Sequence, residues 1–182
     1  ESWAAVPGLE AAPVQQIVLA PDSLADPFVA ALAGDACLWL SHDGGDSWSP
    51  AVGCGDGTLP SVVALSPGFG ADDRLWVATR HGTVLSSEDR GESWTETVLE
   101  TPLSGPVDEA VQDLVAVEAH RLLAVTPSYG ALCSDDSGQS WDLCSEGLPP
   151  APSSPAVSGA TSDAWTSTGP PPPSWPCRPG KG

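Results

Sequence analysis

The residues that could do chemistry in this 182-residue chain are its 24 acids, three histidines and five cysteines, and the acids are the most ordered of them. Seven of them fall in three phrases, SHDGGDSW (41–48), SEDRGESW (87–94) and SDDSGQSW (134–141), and the rest are scattered. Acids in a turn can ligate calcium. That task needs a dense ligand series ending in a bidentate glutamate, however, and Asp43 with Asp46 does not supply it. Sugar hydrolysis needs two carboxyl groups facing each other across a cleft. Asp72 with Asp73 and Asp108 with Glu109 are candidates, but each pair lies in a loop, where solvated turn acids are the ordinary reading. His42, His81 and His120 share no ligand spacing and no CxxC occurs, which argues against zinc. The GCGDG run at 53–57 lacks the following helix and lysine of a phosphate cradle, and GxSxG is absent. The sequence therefore assigns no catalytic, cofactor-binding or metal-ligating residue.

The three phrases share the pattern Ser-x-Asp-x-Gly-x-Ser-Trp, which reads as a device for locking a hairpin. Ser41, Ser87 and Ser134 open it. Asp43, Asp89 and Asp136 can accept hydrogen bonds from backbone N–H groups of the turn that follows. Gly45, Gly91 and Gly138 supply the positive φ that a tight connection between strands demands. Ser47, Ser93 and Ser140 add a local hydroxyl. Trp48, Trp94 and Trp141 restart the next strand with a large apolar ring whose indole N–H still needs an acceptor.

These residues resemble the Asp-box, or bacterial neuraminidase repeat, of sialidases, sortilin-type receptors, xyloglucan-degrading enzymes and photosystem assembly factors. The resemblance covers residues 1 to about 146. It implies a β-propeller in which the box is structural and lies at the blade periphery, away from any active centre. A sialidase-like centre would call for three arginines, a tyrosine with a glutamate partner and an acid/base aspartate. The repeats hold Arg74, Arg80, Arg90 and Arg121 with one Tyr129; Arg90 occupies a variable box position and is expected to be peripheral.

The repeat also dictates the elements around the boxes. Trp3, Trp48, Trp94 and Trp141 follow one another at steps of 45, 46 and 47 residues, the period of four short strands forming one propeller blade. Apolar, β-branched runs at 14–21, 59–67 and 111–119 are expected as innermost strands, and 27–33, 74–80 and 121–127 as second strands. ACLWLS, TVLSS and ALCS run into the boxes as third strands; WSPAV, WTETVL and WDLCSE lead out as fourth strands. The expected fold is all-β: about three four-stranded antiparallel blades plus one leading strand at Glu1 to Trp3. Three blades do not close a ring, so the chain is read as part of a propeller of six or more blades, with self-association through open blade faces as the rival.

From residue 147 the composition turns to Pro, Ser, Gly and Ala, which cannot offset its ordering entropy; 147–182 is expected to be a disordered tail, serving as a linker or stalk unless the reading frame has strayed there. Cys37 and Cys54 flank the first box, and Cys133 and Cys144 the third. Cross-hairpin disulfides would need Cα separations below about 7 Å, which the unequal offsets leave open, with buried free thiols as the alternative. Cys177 is left over. A net charge of −18 argues against nucleic acid as a partner, and no stretch of 18 apolar residues could span a membrane. The functional expectation is a non-catalytic scaffold binding protein or glycan, in an extracellular or periplasmic setting. The alternatives are a fragment of a sialidase-like or xyloglucanase-like glycoside hydrolase whose catalytic residues lie elsewhere, and a cell-surface display unit on a Pro-rich stalk.

Overall fold

Residues 13–34, 36–101 and 105–144 are described by a computed structural model. Their strands form three consecutive antiparallel meanders and one small hairpin. The first meander is β1 (Val14–Leu19), β2 (Val29–Ala33), β3 (Cys37–Ser41) and β4 (Ser49–Val52). The second is β5 (Pro60–Leu65), β6 (Leu75–Thr79), β7 (Thr83–Ser87) and β8 (Thr95–Val98), with a single-turn helix α1 (Phe69–Asp72) between its first two strands. A two-stranded hairpin follows, β9 (Glu100–Thr101) and β10 (Gly105–Pro106). The third meander is β11 (Asp113–Ala116), β12 (Leu122–Thr126), β13 (Gly130–Ser134) and β14 (Asp142–Leu143). The chain is an all-β arc of three propeller blades. The expected leading strand and tail lie outside the described residues, as do Trp3 and Cys177.

Register explains why the blades stack. Side chains alternate between faces along a strand, so each blade has one face toward the preceding blade and one toward the next. In blade 2, Val63, Leu65, Leu75, Val77 and Leu85 are buried with Ala30, Leu38, Leu40 and Val52 of blade 1. The intervening Val62, Ala64, Trp76, Ala78 and Val84 are buried with Leu114, Leu122, Ala124 and Leu132 of blade 3. A middle blade buried on both faces needs unbroken apolar runs rather than alternation, which is what SVVAL and LWVAT provide. Each fully buried Leu or Val here contributes about 1.5–3 kcal/mol. The innermost strand β5 lies between β1 and β11.

Two elements were absent from the sequence reading. Helix α1 occupies the turn between the first two strands of blade 2, where Asp72 accepts from Ser66 Oγ at 2.5 Å and from the Arg74 N–H at 3.1 Å, and Phe69 is fully buried against Phe28. The β9–β10 hairpin crosses the β6–β7 turn, so that Leu99 N–H bonds Gly82 O and Val107 N–H bonds Leu99 O, each at 2.8 Å. Gly82 has φ +68, and a Cβ there would meet the Val107 carbonyl oxygen at 1.7 Å, so backbone passes where any side chain would stand.

Candidate functional site

The same hydrogen-bond set recurs in all three boxes, and it ends the third strand of each blade. Ser41, Ser87 and Ser134 pair at the end of that strand and are buried. Each hydroxyl accepts the N–H of the box glycine, at 2.8 Å in every case, and donates to the box aspartate at 2.8, 2.7 and 2.8 Å. The aspartate's other contacts point forward: Asp43, Asp89 and Asp136 accept the N–H and the hydroxyl of Ser47, Ser93 and Ser140, the latter at 2.5 Å. Each indole N–H donates to the carbonyl of the box glycine, at 2.9, 3.1 and 3.2 Å.

This chemistry holds the acids charged. The Ser47 hydroxyl and N–H, with Ser41, bring Asp43 down to about 2, and Ser93 and Ser87 do the same for Asp89. At Asp136 burial works upward, but Ser140 and Ser134 outweigh it and the carboxyl stays below its ordinary range. A carboxylate whose oxygens accept several hydrogen bonds is a poor proton donor and a poor candidate for general acid work. No group of three or more His, Cys, Asp or Glu among the described residues is placed to hold a metal ion.

The box turn carries two consecutive residues at positive φ. Gly45, Gly91 and Gly138 stand at φ 100, 90 and 91, and the residues before them, Gly44, Arg90 and Ser137, at 78, 60 and 65. At that preceding position the N–H reaches back to a carbonyl just before the second strand: Pro27, Asp73 or His120. The sequence reading assigned positive φ to the glycine alone, because Arg and Ser rarely adopt it.

The second and third boxes also join blade to blade. Arg90 reaches across to blade 1: its guanidinium makes a bidentate pair with Asp26, at 2.9 and 2.7 Å, and its Nε donates to Asp73 at 2.6 Å. It also lies over the Phe69 ring, 5.2 Å from the centroid, and its partners, Asp26 first, raise its pKa further. Asp72 and Asp73 are turn acids with structural partners, Asp73 while still 43% exposed. At the next interface Arg74 of blade 2 reaches blade 3, its Nη1 lying 3.2 Å from Ser137 Oγ and 3.1 Å from His120 Nδ1, while Nη2 pairs with Glu88 at 2.9 Å. Trp76 Nε1 donates to Ser137 O at 3.0 Å. Nearer the inner strands, the Gln16 amide bonds both the N–H and the carbonyl of Val63, at 2.8 and 3.0 Å, as a strand edge would.

Tyr129 is half-buried against the core, and the acid beside it in space is Glu109, which accepts the Ser128 N–H at 2.9 Å. Burial pushes Glu109 up, but the Ser128 bonds win and hold it low. Arg74 and Arg80 stand at opposite ends of β6, so the four arginines do not converge. Two disulfides tie the last two strands of their blades. Cys37–Cys54 closes the end of the β3–β4 hairpin remote from the box, with Cα atoms 4.6 Å apart, and Cys133–Cys144 clamps β13–β14 beside the box at 5.7 Å. Their unequal offsets mark opposite ends of the hairpin.

Grooves run between the outer strand of one blade and the box of the next. Between blades 2 and 3 a groove of about 650 Å³ lies among Glu96, Thr97, Val98, Glu100, Ser140 and Asp142, and one of about 630 Å³ adjoins it at Glu88, Ser93, Thr95 and Gln139. The corresponding groove between blades 1 and 2, about 310 Å³, is lined by Pro50, Ala51, Glu92 and Trp94. The lining is rich in hydroxyls and acids.

No family model and no curated protein matches the sequence. Solved structures do match in shape. YCF48 from Cyanidioschyzon merolae is 21% identical, with 78% of this chain covering 39% of that one at a TM-score of 0.58. YCF48 bound to D1 peptide is 20% identical, 76% covering 40%, at 0.56. An ancestral GH74 enzyme is 17% identical, 71% covering 18%, at 0.56. The chain thus spans about 40% of the YCF48 structures it resembles. No helix among the described residues is long and apolar enough to cross a membrane. At these identities the likeness establishes the fold alone: this chain has the blades of a β-propeller.

Proposed function

We propose that the chain belongs to a non-catalytic propeller scaffold of the Asp-box type that binds a protein partner along its inter-blade grooves. The observation that carries this reading is the commitment of the charged groups: the box acids bond their own turns, and Arg74 and Arg90 join blades. The larger grooves present hydroxyls and the carboxylates of Glu88, Glu96, Glu100 and Asp142 to solvent, beside the half-exposed Val98. With a net charge of −18, such grooves favour a basic protein segment. YCF48, which shares the fold, has been solved with a peptide bound. Two disulfides support an extracytoplasmic setting.

The test is fluorescence titration of the chain with a lysine- and arginine-rich peptide at about 50 and 300 mM salt, run beside a neutral xyloglucan oligosaccharide and sialyllactose. The expected result is peptide binding that weakens with salt and no release of sugar. Cleavage of either sugar, or sugar binding without peptide binding, overturns the reading.

A further inference from the structure

The fourth strand of a blade has a neighbour on one side only, and its outer edge is a row of backbone donors and acceptors. In β8 register shows which residues own them. Leu99 N–H bonds Gly82 O at 2.8 Å, and Thr97 and Thr95, at steps of two before it, stand opposite Val84 and Ser86. These residues turn their backbone groups toward β7, so Glu96 and Val98 between them turn theirs outward. Outside the β7–β8 pairing, no hydrogen bond among the described residues uses the N–H or carbonyl of either. Because β8 belongs to the middle blade, both walls of the groove beside its edge come from this chain.

Blade 1 shows the same edge closed. Pro50 of β4 pairs with Trp39 in the register where Glu96 of β8 pairs with Leu85, each two residues after its box tryptophan. Proline offers no N–H, and on an edge strand it keeps another strand from adding. In blade 2 that block is replaced by a glutamate. The groove differs with it, about 310 Å³ where Pro50 lines it and about 650 Å³ beside β8.

The side chains define what could pair there. Glu96 and Val98 share one face of β8, and Val98 is 44% exposed. Thr95 and Thr97 share the other, and Ser140 and Asp142 of blade 3 line the same groove. Glu96, Glu100 and Asp142 enter none of the ion pairs among the described residues. A carboxylate on the edge repels a second copy of a chain carrying −18 and attracts a cationic strand.

We propose that β8 takes an extended, basic segment of a partner protein as a fifth strand of blade 2, paired to the outward N–H and carbonyl groups of Glu96 and Val98. A lysine or arginine of that segment lies beside Glu96, and two residues away an apolar side chain lies on Val98. This rests on the scaffold reading above and adds to it the edge that binds and the conformation of what is bound.

The probe is the fluorescein-labelled octapeptide KTVTKTVK, titrated by anisotropy against the full chain and its Glu96→Gln and Glu96→Pro variants. Glu96→Gln loses the charge and keeps the N–H. Glu96→Pro loses both, in a register where Pro50 already shows that proline fits. The first should weaken binding about threefold and the second about tenfold further. Amide exchange at Glu96 and Val98 should slow when the wild type is saturated with peptide, a readout that needs no variant to fold. Equal binding by the two variants, or unchanged exchange at those two amides in the saturated wild type, overturns strand addition while leaving a basic segment in the groove. A wild type that binds no peptide overturns this proposal and the scaffold reading together. A peptide-free dimer that Glu96→Pro dissolves gives the edge to a second copy and overturns the proposal as well.

Discussion

Alanine at the three box glycines should separate the cost of backbone conformation from the cost of blade stacking. All three stand near φ +90 to +100, where an L side chain is strained by about 1–2 kcal/mol. What differs is the space for a Cβ. At Gly45 its nearest neighbour would be the ring of Trp48 at 3.6 Å, an ordinary contact. At Gly138 it would meet Leu122 Cδ1 at 3.2 Å, and at Gly91 it would meet Leu40 Cδ1, from the preceding blade, at 2.4 Å. Leu40 is buried at 3% exposure and can yield only by disturbing the blade 1–2 core, which adds about 1–3 kcal/mol of overpacking. Gly45→Ala should therefore lose about 1–2 kcal/mol, Gly138→Ala slightly more and Gly91→Ala about 2–5. Urea denaturation followed by tryptophan fluorescence reads all three, and in thermal unfolding each kcal/mol is worth about 4 °C. Equal losses at the three sites, or the largest at Gly45, would refute the argument that the boxes also set the spacing between blades.

Arg90→Gln should destabilise by about 2 kcal/mol, since it leaves Asp26, 14% exposed, without its bidentate partner; denaturation at low and high salt checks this, with the gap between the two proteins narrowing as salt rises. Removing the 17-residue-separated Cys37–Cys54 bond by Cys54→Ser should cost about 3 kcal/mol, and removing Cys133–Cys144, separated by 11, slightly less, as unfolding with and without reductant would show. The acid limb follows from Asp43 and Asp89, held at about 2 against an ordinary 3.8. A depressed folded-state value means the stabilisation is complete above the unfolded value and lost as pH falls from about 4 toward 2. Asp89→Asn should flatten that limb in pH-dependent melting.

The fold was legible because the repeat repeats its physics: period, turn glycine and β-branched runs located all twelve strands of the three meanders to within a few residues. The β9–β10 hairpin was not, because two-residue strands leave no alternation to read, and α1 is one turn long. The boxes' internal bonds could be argued from residue type, since Ser, Asp and Gly act within eight residues of sequence. Their outward bonds could not. Arg90 meets Asp26 across 64 residues and Arg74 meets Ser137 across 63, and at box position four the three repeats carry Gly, Arg and Ser, so no pattern announces a partner. One signal was available: Arg74 and Arg121 stand the same distance before their box serines.

The box acids are spent on their own turns, and amide hydrogen exchange measured residue by residue by NMR tests that most directly. The N–H groups of Gly45, Gly91 and Gly138 and of Ser47, Ser93 and Ser140 should be protected like those of paired strands, although Ser47, Ser93 and Ser140 lie in exposed turns. Exchange at those six amides as fast as in an unstructured peptide would contradict it, and would return the three aspartates to the pool of groups free for chemistry.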